Sequence, residues 1–114
     1  MTIESYSFGS IKIDGIIYKK DVIIFPERVF SPWWRESGHS LSINDLKEVI
    51  EYKPDLIIIG TGALGAVSIP NSTLEFLRIN EIRVKILQTK DAVSIFNQEM
   101  EKRQNVVACL HLTC

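Results

Sequence analysis

The sequence predicts a single α/β domain over residues 1–114, with a mixed β-sheet made of an N-terminal antiparallel hairpin and a C-terminal βαβαβ parallel portion. Three observations predict it. The first 30 residues alternate polar and apolar side chains around an Asp14-Gly15 dipeptide. Leu56-Ile57-Ile58-Ile59 is apolar without alternation, as a strand covered on both faces requires. Segments with helical spacing then separate this run from two further strand-like runs.

Tyr6 and Phe8 alternate with Ser5 and Ser7, and Ile11 and Ile13 flank Lys12, which marks strands with one wet face. Asp14-Gly15 suits a two-residue type I′ turn, because both central positions need positive φ, and Ile16-Ile17-Tyr18 is the returning strand. After the polar Lys19-Lys20-Asp21, Val22 to Phe25 is a strand ended by Pro26. Pro26 to Leu41 is the longest irregular stretch, and it holds both tryptophans. Ser42 with Asp45 fits a capping box, and Ile43, Leu46, Val49 and Ile50 form one helix face that Pro54 stops. A second helix is expected from near Pro70 to Asn80, with Leu74 and Leu77 inward. Ile82, Val84 and Ile86 make a strand; Ala92, Val93, Ile95, Phe96 and Met100 line a third helix; Val106 to Leu110 is the last strand.

Composition narrows the class. The chain is 46% hydrophobic and 24% charged with a net charge of -1, a globular profile long enough to fold without a metal or disulfide staple. Thirteen basic and fourteen acidic residues are mixed along it, so no basic stripe exists to neutralise nucleic-acid phosphates. No apolar run exceeds five residues, which argues against membrane insertion. The N-terminus lacks the basic and apolar regions of a signal peptide, so a cytoplasmic location is expected. Cys109 and Cys114, in and just after an extended run, point to opposite faces at a distance that excludes a disulfide and are expected as reduced thiols.

Two constellations carry potential chemistry. Gly60-Thr61-Gly62-Ala63-Leu64-Gly65 matches G-x-G-x-x-G after a strand, but the helix that should follow is replaced by an extended Ala66-Val67-Ser68-Ile69-Pro70. Gln88-Thr89 also stands where the ribose-binding acid belongs, so no dinucleotide cofactor is expected. The loop still lies at the carboxyl ends of the parallel strands, where open α/β sheets bind ligands. Gly60, Thr61, Gly62, Gly65 and Thr89 are therefore ligand-binding candidates, with Thr89 alternatively an ordinary helix N-cap. His111 and Cys114 are candidates for acid-base or nucleophilic work, against a structural histidine and an exposed thiol. His39, Cys109, His111 and Cys114 have no metal-ligand spacing, and no metal is expected.

The second constellation is Ser31-Pro32-Trp33-Trp34-Arg35-Glu36-Ser37-Gly38-His39. Adjacent tryptophans on extended chain point to opposite faces, so one enters the core while the other is exposed or covered by a partner. Trp33, Trp34, Arg35 and His39 are interface candidates, since Trp and Arg dominate binding hot spots.

Gly9 with Ile11, Asp14-Gly15, Asp21-Val22, Pro26, Trp33-Trp34-Arg35, Gly38-His39, Pro54, Gly60-Thr61-Gly62, Gly65, Thr89, Ala92, Phe96-Asn97 and His111-Leu112-Thr113-Cys114 together resemble a small domain of unknown function. That domain is shared by uncharacterised archaeal and bacterial proteins, the adipogenesis-associated protein and mitochondrial complex I assembly factor 3. The resemblance covers nearly the whole chain and implies a free-standing prokaryotic member with a three-layer fold. It implies action through protein contacts and no established catalytic activity. The expected function is a non-enzymatic protein-interaction or assembly-type module with an unidentified protein partner or a second copy of itself. The alternative is a small-molecule or anion-binding enzyme or sensor at the strand ends.

Overall fold

The computed structural model describes residues 1–102 and 105–114. The Asp14-Gly15 turn forms as expected, with φ of 47° and 82°, and brings β2 (Ser10–Ile13) back against β3 (Ile16–Tyr18). With β1 (Ile3–Ser7) they make a separate three-stranded antiparallel sheet, rather than the end of the main one. The main sheet has the order β5-β4-β8-β6-β7, from β4 (Val22–Ile24), β5 (Val29–Phe30), β6 (Leu56–Gly60), β7 (Arg83–Leu87) and β8 (Val106–Leu110). β7, β6 and β8 are parallel, and β4 runs antiparallel to β8. The α/β fold with its mixed sheet, hairpin and parallel βαβαβ portion is thus as the sequence predicts.

The apolar runs are buried on both sides. Leu56 and Ile58 of β6, with Val106, Ala108 and Leu110 of β8, face Ile3, Ile11 and Ile13 of the small sheet and Ala92 and Phe96 of α3 (Thr89–Lys102). Ile57, Ile59, Val107 and Cys109 face the other way. There they meet Leu46, Val49 of α1 (Lys47–Tyr52), Leu77 of α2 (Asn71–Ile79), Phe25 and Trp33. The period of two, applied to strands without polar alternation, separates these residues into two cores on either side of one sheet. Three layers result: the small sheet with α3, the five-stranded sheet, and α1, α2 and the tryptophan loop.

Local signals behave as chemistry dictates, with a few adjustments. Ser42 starts a 3-10 turn over Ile43–Leu46, and the Asp45 carboxylate accepts the Ser42 N–H at 2.9 Å. The Ser42 hydroxyl is turned to Glu36 at 3.0 Å. Pro70 occupies the cap before α2, and Thr73 and Leu77, not Leu74, are its fully buried residues. β7 starts at Arg83, one residue after Ile82, and as an edge strand it leaves Ile86 41% exposed.

Candidate functional site

The register of two strands builds the centre of the site. Val22 of β4 pairs with Leu110 of β8, so the residues one step beyond that pair, Asp21 and His111, lie opposite each other. Asp21 Oδ2 is 2.7 Å from His111 Nδ1. Asp21 Oδ1 accepts the Leu112 N–H at 2.8 Å, so the carboxylate is held at both oxygens.

Arg35 closes the group. Its Nη1 donates to Asp21 Oδ2 at 2.8 Å, and its Nε and Nη2 donate to the Gly38 carbonyl at 3.3 and 3.2 Å. Its guanidinium carbon lies 4.8 Å from the centre of the Trp33 ring. Nη2 also comes within 3.0 Å of His111 Nδ1, but two donors cannot share a proton. The shorter contact to the carboxylate assigns the Nδ1 proton to the Asp21 bond, and in the neutral ring Nε2 is then the acceptor. Thr113 Oγ1 faces Nε2 at 3.3 Å.

Trp33 sets the loop that delivers Arg35. Its ring is buried, its indole N–H donates to the Asp45 carbonyl at 3.0 Å, and its backbone N–H donates to the Asp21 carbonyl at 2.9 Å. With Trp33 turned inward, Trp34 must turn out, and it is 75% exposed. The opposition of the two rings is the one predicted. His39 is exposed, with its ring 5.9 Å from that of His111 and edge-on to it. Lys19, Lys20, Asp21, Pro32, Trp34, Arg35, His111 and Thr113 are among the residues that line an open cleft of about 390 Å³.

The glycine loop plays a different part. Gly62 N–H donates to Thr89 Oγ1 at 2.9 Å, and Thr89 Oγ1 donates to the His111 carbonyl at 2.6 Å. Thr89 is fully buried, and its hydroxyl ties two strand ends together instead of capping its own helix. Ala63 N–H donates to Thr113 O, and both Leu64 and Ala66 N–H donate to Cys114 O. Thr61 gives its N–H and hydroxyl to Leu87 O, and Gly65 N–H turns back to Gly62 O. A Cβ on Gly62 would sit 2.3 Å from the Cys114 carbonyl carbon, and its φ of +111° is equally restrictive. The donors expected to hold an anion are thus committed within the protein, Thr61 to Leu87, Gly62 to Thr89, Gly65 to Gly62 and Thr89 to His111, while Ala63, Leu64 and Ala66 N–H fix segment 111–114 in place.

The small sheet clamps that segment from another side. Gly9 N–H and the Tyr6 hydroxyl both donate to Leu112 O, at 2.8 and 2.9 Å. Burial raises the Tyr6 phenol above its ordinary pKa, and the Asp21 charge adds to this, while the Thr89 bond opposes it. Cys109 is completely buried, which pushes its thiol far up, and Cys114 is exposed. Among the described residues no group of three or more His, Cys, Asp or Glu could hold a metal, and no helix is long and apolar enough to cross a membrane.

The structure therefore brings Trp33, Trp34, Arg35 and His111 around one cleft, with the His39 ring against that of His111. Gly60, Gly62 and Thr89 bond to or pack against segment 111–114, and Thr61 and Gly65 bond to Leu87 and Gly62. Asp21, Lys19 and Lys20 belong to no chemical motif in the sequence. Only the resemblance includes Asp21, and the pairing of β4 with β8 gives it a partner.

Similar folds are known. A conserved hypothetical protein from Pyrococcus horikoshii is 26% identical with a TM-score of 0.87, over 100% of both chains. A protein titled MT938 is also 26% identical, with a TM-score of 0.84 over 99% of this chain and 98% of the other. A Bordetella pertussis protein described as a Mth938-like domain shares the fold at 17% identity, with a TM-score of 0.77 over 97% of this chain and 85% of its own. Residues 3–111 match the family described as "Protein of unknown function (DUF498/DUF598)", and the chain belongs to that family.

Proposed function

We propose that the protein is a non-enzymatic interaction module of the assembly type, acting in the cytoplasm, and that it docks an unidentified protein partner through the rim around segment 111–114. The observation that carries this reading is the placement of exposed apolar side chains on three loops that bracket this segment. Trp34 lines the cleft together with Thr113, Leu64 follows the N–H that bonds Thr113, and Phe8 precedes the N–H that bonds Leu112. They are 75%, 76% and 61% exposed. Isolated exposed apolar residues are ordinary, but three around one rigid rim are what a protein contact uses. The unpaired thiols agree with a reducing compartment.

The test is site-specific photo-cross-linking in cells. A photoreactive phenylalanine analogue at position 34 or 64 is expected to trap the same protein, identified by mass spectrometry. The same analogue at position 79 is the control, because Ile79 is 66% exposed but lies on α2, outside the rim. No adduct, or the same adducts from all three positions, overturns the reading.

A second reading, a small-molecule or anion-binding enzyme or sensor at the same strand ends, is favoured by the alignment of Asp21, His111 and Thr113. An imidazole oriented by a carboxylate with Nε2 toward a hydroxyl has the geometry of a general base. Stabilisation by a phosphate or carboxylate from a broad panel, lost in His111→Gln, would support it. Unchanged melting throughout the panel would remove it.

A further inference from the structure

We propose that the segment docked in the Trp34 cleft is an acidic, extended stretch of a partner protein, with carboxylates at Lys19 and Lys20 and an apolar side chain on the Trp34 ring. This rests on the reading of the rim as a docking surface and names the chemistry of its occupant. The cleft lining holds three cations, Lys19, Lys20 and Arg35, against one carboxylate, Asp21. Its charge is therefore positive, opposite in sign to the -1 of the whole chain. Asp21 is matched to Arg35 and His111 at hydrogen-bond distance, whereas neither lysine has a carboxylate within salt-bridge distance among the described residues. Two exposed, uncompensated ammoniums beside an exposed indole form a complementary surface for alternating acidic and apolar side chains.

The state of Arg35 selects an extended ligand over a small anion. Three of the five guanidinium N–H groups are committed, two to Gly38 O and one to Asp21, and the side chain is only 6% exposed, so it presents no open fork for bidentate capture of a carboxylate or phosphate. Recognition falls to the flexible lysines and the ring, which lie at the rim of an open cleft and not around a closed pocket. Two lysines on a chain of net negative charge are also too few to hold a membrane surface.

The probe is a capped peptide with Glu residues on both sides of a central Phe, titrated into the labelled full chain and followed by amide and indole NMR signals. Its Gln counterpart is the uncharged control. Shifts are expected at Lys19, Lys20, Trp34 and Thr113, with affinity falling as salt rises. The Lys19→Glu, Lys20→Glu double variant should weaken binding about tenfold or more, and Trp34→Ala by several-fold, in chains whose other signals are unmoved. Equal binding of the Gln peptide, shifts confined to another surface, or no shifts at millimolar peptide overturns the proposal. Tighter association with phosphatidylserine vesicles, or self-association competing with the peptide, does the same. Cross-linking from position 34 separates the two readings. A trapped partner without peptide binding removes the acidic ligand and keeps the interface, and peptide binding without a trapped partner does the reverse.

Discussion

Asp21 Oδ2 lies 2.7 Å from His111 Nδ1, although 90 residues separate them in the chain. The contact is a product of strand register: the Val22–Leu110 pair in antiparallel β4 and β8 leaves the next residues facing each other beyond the sheet's end. Arg35 and the Leu112 N–H then compensate the carboxylate, so that three segments meet at one charge.

Removing that charge should be costly. The Asp21 and Arg35 side chains are 15% and 6% exposed, and Asp21→Ala leaves a buried guanidinium and the Leu112 N–H without their acceptor. A loss of about 2–4 kcal/mol is expected in urea unfolding, less than for a fully buried pair because the cleft admits water. Arg35→Met in the same background should cost less than it does alone, and strict additivity of the two changes would contradict the coupling.

The two tryptophans should separate stability from binding. Trp33→Ala deletes a buried ring and its bond to Asp45 O, with an expected loss of about 3–5 kcal/mol. Trp34→Ala should shift stability by less than about 0.5 kcal/mol. In fluorescence, Trp34 is expected to be quenched readily by acrylamide and Trp33 to be protected, as single-tryptophan variants will show.

Glycines with similar φ should differ in tolerance. Gly15→Ala faces open space and only the φ of +82°, so a loss of about 1 kcal/mol is expected. Gly62→Ala drives a methyl into the Cys114 backbone and should cost more than about 3 kcal/mol or displace segment 111–114. Thermal melts of the two variants check the order, and equal melting temperatures would show that the loop yields.

The thiols make a pH prediction. Burial holds the Cys109 thiol protonated in the folded chain well above its ordinary pKa of 9.0, whereas the unfolded chain releases that proton near the ordinary value. The unfolded state then binds fewer protons, so this contribution is fully present below about pH 9 and lost as pH rises beyond it, by about 1.4 kcal/mol per unit. Tyr6 adds a loss of the same sign above its ordinary value of 10.0. Cys109→Ala should flatten the alkaline limb between pH 9 and 10, where the ordinary values of the two groups lie. A thiol reagent should titrate Cys114 in the folded chain and Cys109 only after denaturation.

Much of the fold is legible in the chain because it rests on local chemistry. The Asp14-Gly15 turn, the Ser42–Asp45 pairing, the stop at Pro54 and the two-faced run at Leu56–Ile59 each act through neighbours a few residues away. Trp33 inside and Trp34 outside follow from the direction of alternate side chains. Thr89 shows the limit: its preference for an N-cap is real, but Gly62 N–H and His111 O, from two other strand ends, claim its hydroxyl.

Sequence by itself thus determined the α/β class, the hairpin and the alternation of strands and helices after Ser42, but not β5, which lies in the stretch that reads as irregular. Tertiary structure alone decided that β4 leaves the hairpin sheet to pair with β8, that the glycine loop turns its donors onto segment 111–114, and that Lys19, Lys20, Asp21, Arg35 and His111 share one cleft. The physical reason is range. Turn dihedrals, caps and hydrophobic period are properties of adjacent residues, whereas the partner of a charge or a hydroxyl depends on which strand ends the register brings together.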